Sequence, residues 1–279
     1  MDYTSKLSKS VKHSESVLCV GLDPNPDLLP EEITKRYDGI EDQVIHFCKD
    51  VIDATQDYCC AYKPNLAFFE SIGENGLSVF KKVLDMIPDE KIVIADAKRG
   101  DIGSTALQYK RSFFDYFDTD AITLNPLMGF DTLDPFIHEP SKAIYSLVLT
   151  SNPGANDLLL RRFEGRLSLA EYIADQLRRK MQKSQTHIGM VVGATYPSEL
   201  KLVLNAYPQA CLLIPGVGSQ GGKTDDLIDF LSEHEGIPVI SSSRSIIYAG
   251  GNRKKWKDDV EKSAKKLKQE LKKISKQYV

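Results

Sequence analysis

The sequence predicts an α/β protein, a single-domain (β/α)8 TIM barrel spanning residues 1–279. Three observations predict it. Short apolar, β-rich runs recur eight times, helical patterns separate them, and charged or glycine-rich residues stand where the runs end. Apolar strands alternating with helices imply a parallel sheet covered on its faces. Eight repeats suit closure into a barrel, with a doubly wound open sheet as the alternative, and the length is ordinary for a one-domain barrel.

The first strand is read in SVLCVGLD, residues 16–23. Residues 41–55 form a helix with Val44, Phe47, Cys48, Val51 and Ile52 on one face. The run 59–69 carries the second strand, and a helix over 76–87 leads to the third strand at 91–98. A helix over 104–117 precedes the fourth strand at 121–126 and a short segment, FDTLDPFI. The fifth strand is read at 143–151, followed by a polar stretch at 152–168 and a helix at 169–181. That stretch reads as an active-site loop rather than a linker. The sixth strand at 188–195 leads to a helix opened by Pro197, a favourable first-turn position. The seventh strand at 211–218 precedes a helix near 224–234, and the eighth at 238–246 precedes a terminal helix within 253–279.

The lysine-rich residues 253–279 could be a basic patch for membrane or nucleic acid. However, Trp256, Val260, Ala264, Leu267, Leu271 and Ile274 recur at three- and four-residue spacing, which makes one packed stripe on a helix whose other faces are solvated. A net charge of −3 gives no reason to expect a polyanionic partner. The five cysteines form no CxxC pair and mostly sit inside apolar runs, so they read as buried, reduced thiols. The N-terminus lacks a signal-peptide core and no 18-residue apolar run occurs, so a cytoplasmic protein without membrane association is expected.

In such a barrel the site lies at the C-terminal strand ends. Asp23 ends the first strand, Lys63 lies on the second, and the third carries Asp96, Lys98 and Asp101. Thr150 and Ser151 end the fifth, PGVGSQGG the seventh, and SSSRS the eighth. Residues two apart on a strand share a face, so Asp96 and Lys98 both address the barrel mouth, within reach of Lys63. Such a Lys/Asp/Lys network lowers the cost of burying charge and keeps its lysines protonated, although a purely structural ion-pair cluster has the same spacing. The stretch PGVGSQGGKT resembles a P-loop but has Val217 where that motif requires glycine. It reads instead as a glycine-rich turn whose N–H groups can cradle a phosphate, with Arg244 as a charged fork. Two ordinary tight turns are the alternative. The five histidines show no metal-ligand spacing; Asp23 or Asp96 could hold Mg²⁺, but flanking lysines already supply positive charge.

The segment DAKRGDIGST at residues 96–105 resembles the Asp-x-Lys-x-x-Asp-Ile signature of the orotidine 5′-phosphate decarboxylase family. VGLDPN, YKPNLAFFE, TSNPGA, PGVGSQGG and SSSRSIIYAG extend the likeness over nearly the whole chain, closest to the long form of the family. The resemblance implies a metal- and cofactor-free decarboxylation of orotidine 5′-phosphate to uridine 5′-phosphate. It implies a tetrad of Lys63, Asp96, Lys98 and Asp101 and a homodimer with shared active sites, in which Asp101, Ile102 and Thr105 serve the neighbouring subunit. Asp23 and Lys63 would hold the ribose, with Thr105 reaching in from the partner; Ser151 would contact the pyrimidine, and Gln220 and Arg244 the phosphate. A Mg²⁺-dependent phosphosugar lyase of related fold and a non-catalytic phosphate-ligand binder remain alternatives.

Overall fold

The computed structural model describes residues 1–163, 165–216 and 224–279. Eight parallel strands are hydrogen-bonded in sequence order and close into a barrel. They are β1 (Leu18–Leu22), β2 (Ala61–Pro64), β3 (Ile92–Arg99), β4 (Ala121–Leu124), β5 (Ala143–Leu149), β6 (His187–Val192), β7 (Leu212–Pro215) and β8 (Pro238–Ser242). The helices are α1 (Tyr3–Ser14), α2 (Glu31–Arg36), α3 (Ile40–Thr55), α4 (Leu66–Glu70), α5 (Gly76–Leu84) and α6 (Gly103–Lys110), then α7 (Leu169–Met181), α8 (Pro197–Ala206), α9 (Thr224–Leu231), α10 (Arg244–Ile247), α11 (Trp256–Glu270) and α12 (Lys272–Ser275). The expected barrel is therefore present, with shorter strands than the apolar runs suggested. No helix among the described residues is long and apolar enough to cross a membrane.

The chain forms two compact units, residues 9–97 with 241–279 and residues 1–8 with 98–240. In the first unit β1 pairs with β2 in a register that sets Gly21 opposite Lys63. The predicted face of α3 is buried: Val44, Phe47, Cys48, Val51 and Ile52 are all inaccessible. Against it lies α11, whose Trp256 ring stacks on Phe47, which in turn stacks on Tyr248. The lysine-rich segment is thus a packed helix, broken near Leu271 into α11 and α12. The Trp256 indole N–H is buried with no hydrogen-bond partner, so its contribution is packing alone.

The second unit holds two features that the sequence reading did not anticipate. Residues 152–168 are not a featureless loop: Pro153–Asp157 form a 3-10 turn, and Arg162–Phe163 pair antiparallel with Leu167–Ser168. Ser168 and Glu171 then cap α7 reciprocally, which fixes where the segment ends. The other feature is α1. In this unit its Tyr3 hydroxyl bonds that of Tyr145 at 2.9 Å, and its Tyr3 ring stacks on His187. His187 Nε2 accepts the Cys211 N–H at 3.1 Å, so its proton resides on Nδ1, facing Thr4 Oγ1 at 3.4 Å. Burial lowers the His187 pKa to about 4, with Asp2 opposing weakly.

Two outcomes are expected. Trp256→Ala should lower the unfolding free energy by about 3–5 kcal/mol, while Trp256→Phe should cost far less, because no indole hydrogen bond is lost; urea unfolding followed by circular dichroism reads both. The unfolded chain takes up the His187 proton before the folded one does, so stability should fall as pH drops from about 6.5 toward about 4. His187→Gln should remove up to about 1.4 kcal/mol per pH unit from that slope, as urea midpoints across this window will measure.

Candidate active site

In the first unit a buried ion pair joins Lys63 and Asp96, with Nζ to Oδ2 at 2.7 Å. Both side chains are about nine-tenths inaccessible (8% and 10% exposed). Burial by itself would lower the Lys63 pKa, but the carboxylates of Asp96 and Asp23 outweigh it and hold the ammonium above the ordinary lysine range. The strand ends are tied together around this pair. Asn65, just past β2, donates its N–H to Leu22 O at 3.0 Å and bridges to Asp96 on the other side. Gly21 allows a close approach: a Cβ there would lie 2.8 Å from Ser243 Cβ.

Asp23 follows β1, its carbonyl accepting the Tyr248 hydroxyl at 2.8 Å while Asn25 N–H donates to the same hydroxyl at 2.6 Å. Its Oδ1 is buried with no hydrogen-bond partner. Arg244 is exposed and opens the short α10, whereas the sequence reading carried the eighth strand through it to residue 246. β8 ends at Ser242 because the backbone has already turned toward that helix.

In the second unit the end of β3 departs from regular strand geometry. Lys98 has φ +47°, a left-handed conformation that costs a side-chain-bearing residue about 1–2 kcal/mol. The strict two-residue alternation that placed Asp96 and Lys98 on one face therefore ends at Ala97. Lys98 is exposed, and its N–H donates to Thr123 Oγ1 at 2.9 Å. Asn125 N–H donates to Arg99 O at 2.8 Å. Asp101 is half-buried and accepts the Ile102 N–H at 2.8 Å, which shapes the turn into α6. Ile102 and Thr105 are both exposed on or beside its first turn. Arg99, to which the sequence assigned no role, lays its guanidinium over the Tyr109 ring at 5.5 Å.

Ser151 is half-buried after β5, and its carbonyl accepts the Thr195 hydroxyl at 3.2 Å. Gly193 admits this approach, since a Cβ there would meet Ser151 N at 2.8 Å. Gln220 lies outside the described residues. Thr123 and Asn125 were missed in the sequence reading. The one available signal was a polar threonine and an asparagine closing an otherwise apolar fourth strand, ITLN.

The thiols offer no nucleophile. All five cysteines are buried and unpaired by disulfides, and burial pushes Cys19 and Cys211 up to about 12. Among the described residues no group of three or more His, Cys, Asp or Glu is arranged to hold a metal ion. What the strand ends do offer is preorganised charge: a fixed buried Lys–Asp pair, and two residues further along β3 an exposed lysine on a constrained backbone.

Residues 16–258 match the model of the Orotidine 5'-phosphate decarboxylase / HUMPS family. The chain is 42% identical over 253 residues to an orotidine 5'-phosphate decarboxylase of Herpetosiphon aurantiacus, covering 89% of this chain and 90% of that one. It is similar to a solved structure of Leishmania donovani OMP decarboxylase, with TM-score 0.82, 33% identity and 99% of each chain covered. A structure of Leishmania donovani UMP synthase gives TM-score 0.83 and 34% identity over 99% of this chain, which spans 57% of that longer protein. With that match running over most of its length, the chain belongs to the orotidine 5'-phosphate decarboxylase / HUMPS family.

Proposed function

We propose that this chain decarboxylates orotidine 5′-phosphate to uridine 5′-phosphate and CO₂, the last step of pyrimidine nucleotide synthesis, without metal or cofactor. The observation that carries this reading is the buried pair of Lys63 on β2 with Asp96 on β3, the residue that opens the Asp-x-Lys-x-x-Asp-Ile motif. Loss of CO₂ from C6 leaves an electron pair in an in-plane orbital that the ring delocalises poorly. Most decarboxylases use a cofactor as the sink. Here a preorganised ammonium takes that place: Lys98 stabilises charge developing at C6, then passes its Nζ proton to that carbon. Asp96 and Asp101 flank the departing carboxylate, and Lys63 orients Asp96 through their ion pair.

In this reading Asp23 and Lys63 hold the ribose hydroxyls, Ser151 the pyrimidine, and Gln220 with Arg244 the phosphate. The unpaired buried oxygen of Asp23 supports its part, since it is an acceptor without a donor. The exposure of Arg244 supports a ligand contact there. Phosphate binding far from C6 supplies energy that can be expressed at the transition state. Asp101, Ile102 and Thr105 act in the site of a second copy; a 54%-exposed isoleucine beside that aspartate supports a surface covered by a partner. The enzyme works in the cytoplasm as a homodimer, where its five reduced thiols persist, and it needs neither nucleic acid nor membrane.

Chelator-treated protein should consume orotidine 5′-phosphate at full rate, followed by the loss of its ultraviolet absorbance, and Lys98→Ala should lower kcat by roughly 10⁴-fold or more. A chelator-sensitive rate restored by Mg²⁺, or substantial turnover by Lys98→Ala, would overturn the mechanism. Mixing inactive Asp101→Asn with inactive Lys98→Ala should restore activity, because a hybrid dimer holds one intact site; no recovery after confirmed subunit exchange would remove Asp101 from the partner's site.

A further inference from the structure

Three side-chain-bearing residues among those described have a left-handed backbone: Glu15, Lys98 and Asp118. Glu15 follows the end of α1, and Asp118 follows the helical turn Arg111–Tyr116 by two residues. Left-handed residues are common where helices stop. Lys98 is different, because it lies inside a strand and has no short polar side chain to compensate its own backbone. A residue held this way persists only where its surroundings over-determine it.

The surroundings that do so lie on β4. Thr123 is buried, 1% exposed, and its Oγ1 accepts the Lys98 N–H at 2.9 Å. Two residues on, just past β4, Asn125 N–H donates to the Arg99 carbonyl at 2.8 Å, so the backbone is held at the Lys98 N–H and again one residue later. Gly100 completes the grip: a Cβ there would lie 2.6 Å from Asn125 O, so only glycine permits this approach. A buried hydroxyl is costly unless it is hydrogen-bonded, and valine would fill the same volume on a strand. The acceptor at position 123 is aimed at the one residue whose backbone is out of register.

We propose that Thr123 is a positioning residue for the reaction, its hydroxyl holding Lys98 in the left-handed turn that sets where the Lys98 ammonium stands. This rests on the reading of Lys98 as the proton donor to C6. A small rotation about the Lys98 backbone moves Nζ, at the end of a long side chain, by far more than it moves Cα. Displacing a reacting group by 1 Å can cost about 10²-fold in rate.

The test compares Thr123→Val, which keeps volume and branching but removes the acceptor, with Thr123→Ser, which keeps the hydroxyl. Thr123→Ala serves as a second hydroxyl-free variant should valine not fold. Thr123→Val should lower kcat by about 10²-fold with KM for orotidine 5′-phosphate changed by less than about 3-fold, and Thr123→Ser should recover most of the loss. A kcat near the parent's in the folded hydroxyl-free variants, equal losses in valine and serine variants, or a KM change matching the kcat loss would each overturn the proposal. A second readout does not depend on turnover. Reductive ¹³C-methylation of the lysines, with the Lys98 signal assigned through Lys98→Arg, should show that signal shifted in Thr123→Val and unchanged in Thr123→Ser. A parent protein that fails to decarboxylate overturns the proposed function, while the Lys98 signal still decides whether Thr123 positions that lysine; an unmoved signal in Thr123→Val rejects it.

Discussion

The Lys63–Asp96 pair is the constraint around which one end of the first unit is organised. Neither ion could be buried alone, because an unpaired buried charge costs several kcal/mol even after relaxation. Beside Asp96 the Lys63 ammonium stays protonated, and the Asp23 carboxylate adds to the field that keeps it so. The backbone has to present the two side chains at matching heights, and it does so through linked ties. The β1–β2 register sets Gly21 beside Lys63, and the Asn65 bridge fixes the end of β2 against Asp96. Gly21 in turn lets Ser243 approach closely. A substitution at any of these backbone positions reaches the ion pair through one of those ties.

The second unit solves a different problem at the far end of β3. There the lysine is exposed rather than buried, so packing cannot fix it and the backbone must. A left-handed residue inside a strand is unfavourable by itself, and hydrogen bonds to Thr123 on β4 and from Asn125 just past it offset that cost. The contrast has a chemical logic. The buried pair can be held by mutual attraction, whereas under the proposed function the lysine that donates a proton has to face the substrate.

How much of this could be read in the sequence depended on the range of the interaction involved. The strands were legible because parallel strands are buried on both faces and so appear as unbroken apolar runs. Helix α7 was legible to the residue, since Ser168 and Glu171 form a capping box just before its apolar stripe. Helix α1 was not legible, because only Tyr3, Leu7 and Val11 mark its buried face and serines fill the rest. The charged motif located Asp96, Lys98 and Asp101, but alternation along a strand assumes extended backbone as far as the residue of interest. At Lys98 that assumption fails, and no local residue pattern announces it. Thr123 was invisible for the related reason that threonine is an ordinary strand residue; its meaning comes from a neighbour 25 positions away.

Asp23 shows how the same physics extends to the ligand side. A buried carboxylate oxygen without a donor is unfavourable in a molecule considered by itself, and such atoms are uncommon in folded proteins. The neighbouring backbone is nonetheless firmly set, with Tyr248 bonded to both the Asp23 carbonyl and the Asn25 N–H. Tyr248 is itself held by stacking on Phe47, in the aromatic column that ends at Trp256. The packing of the C-terminal helix thus fixes a main chain whose side chain is left with an unused acceptor. In the proposed function a ribose hydroxyl supplies the missing donor, and the unfavourable atom of the free protein would then contribute to binding. Under the proposed function, the buried Asp23 oxygen is an interaction left incomplete in the free protein that the substrate completes.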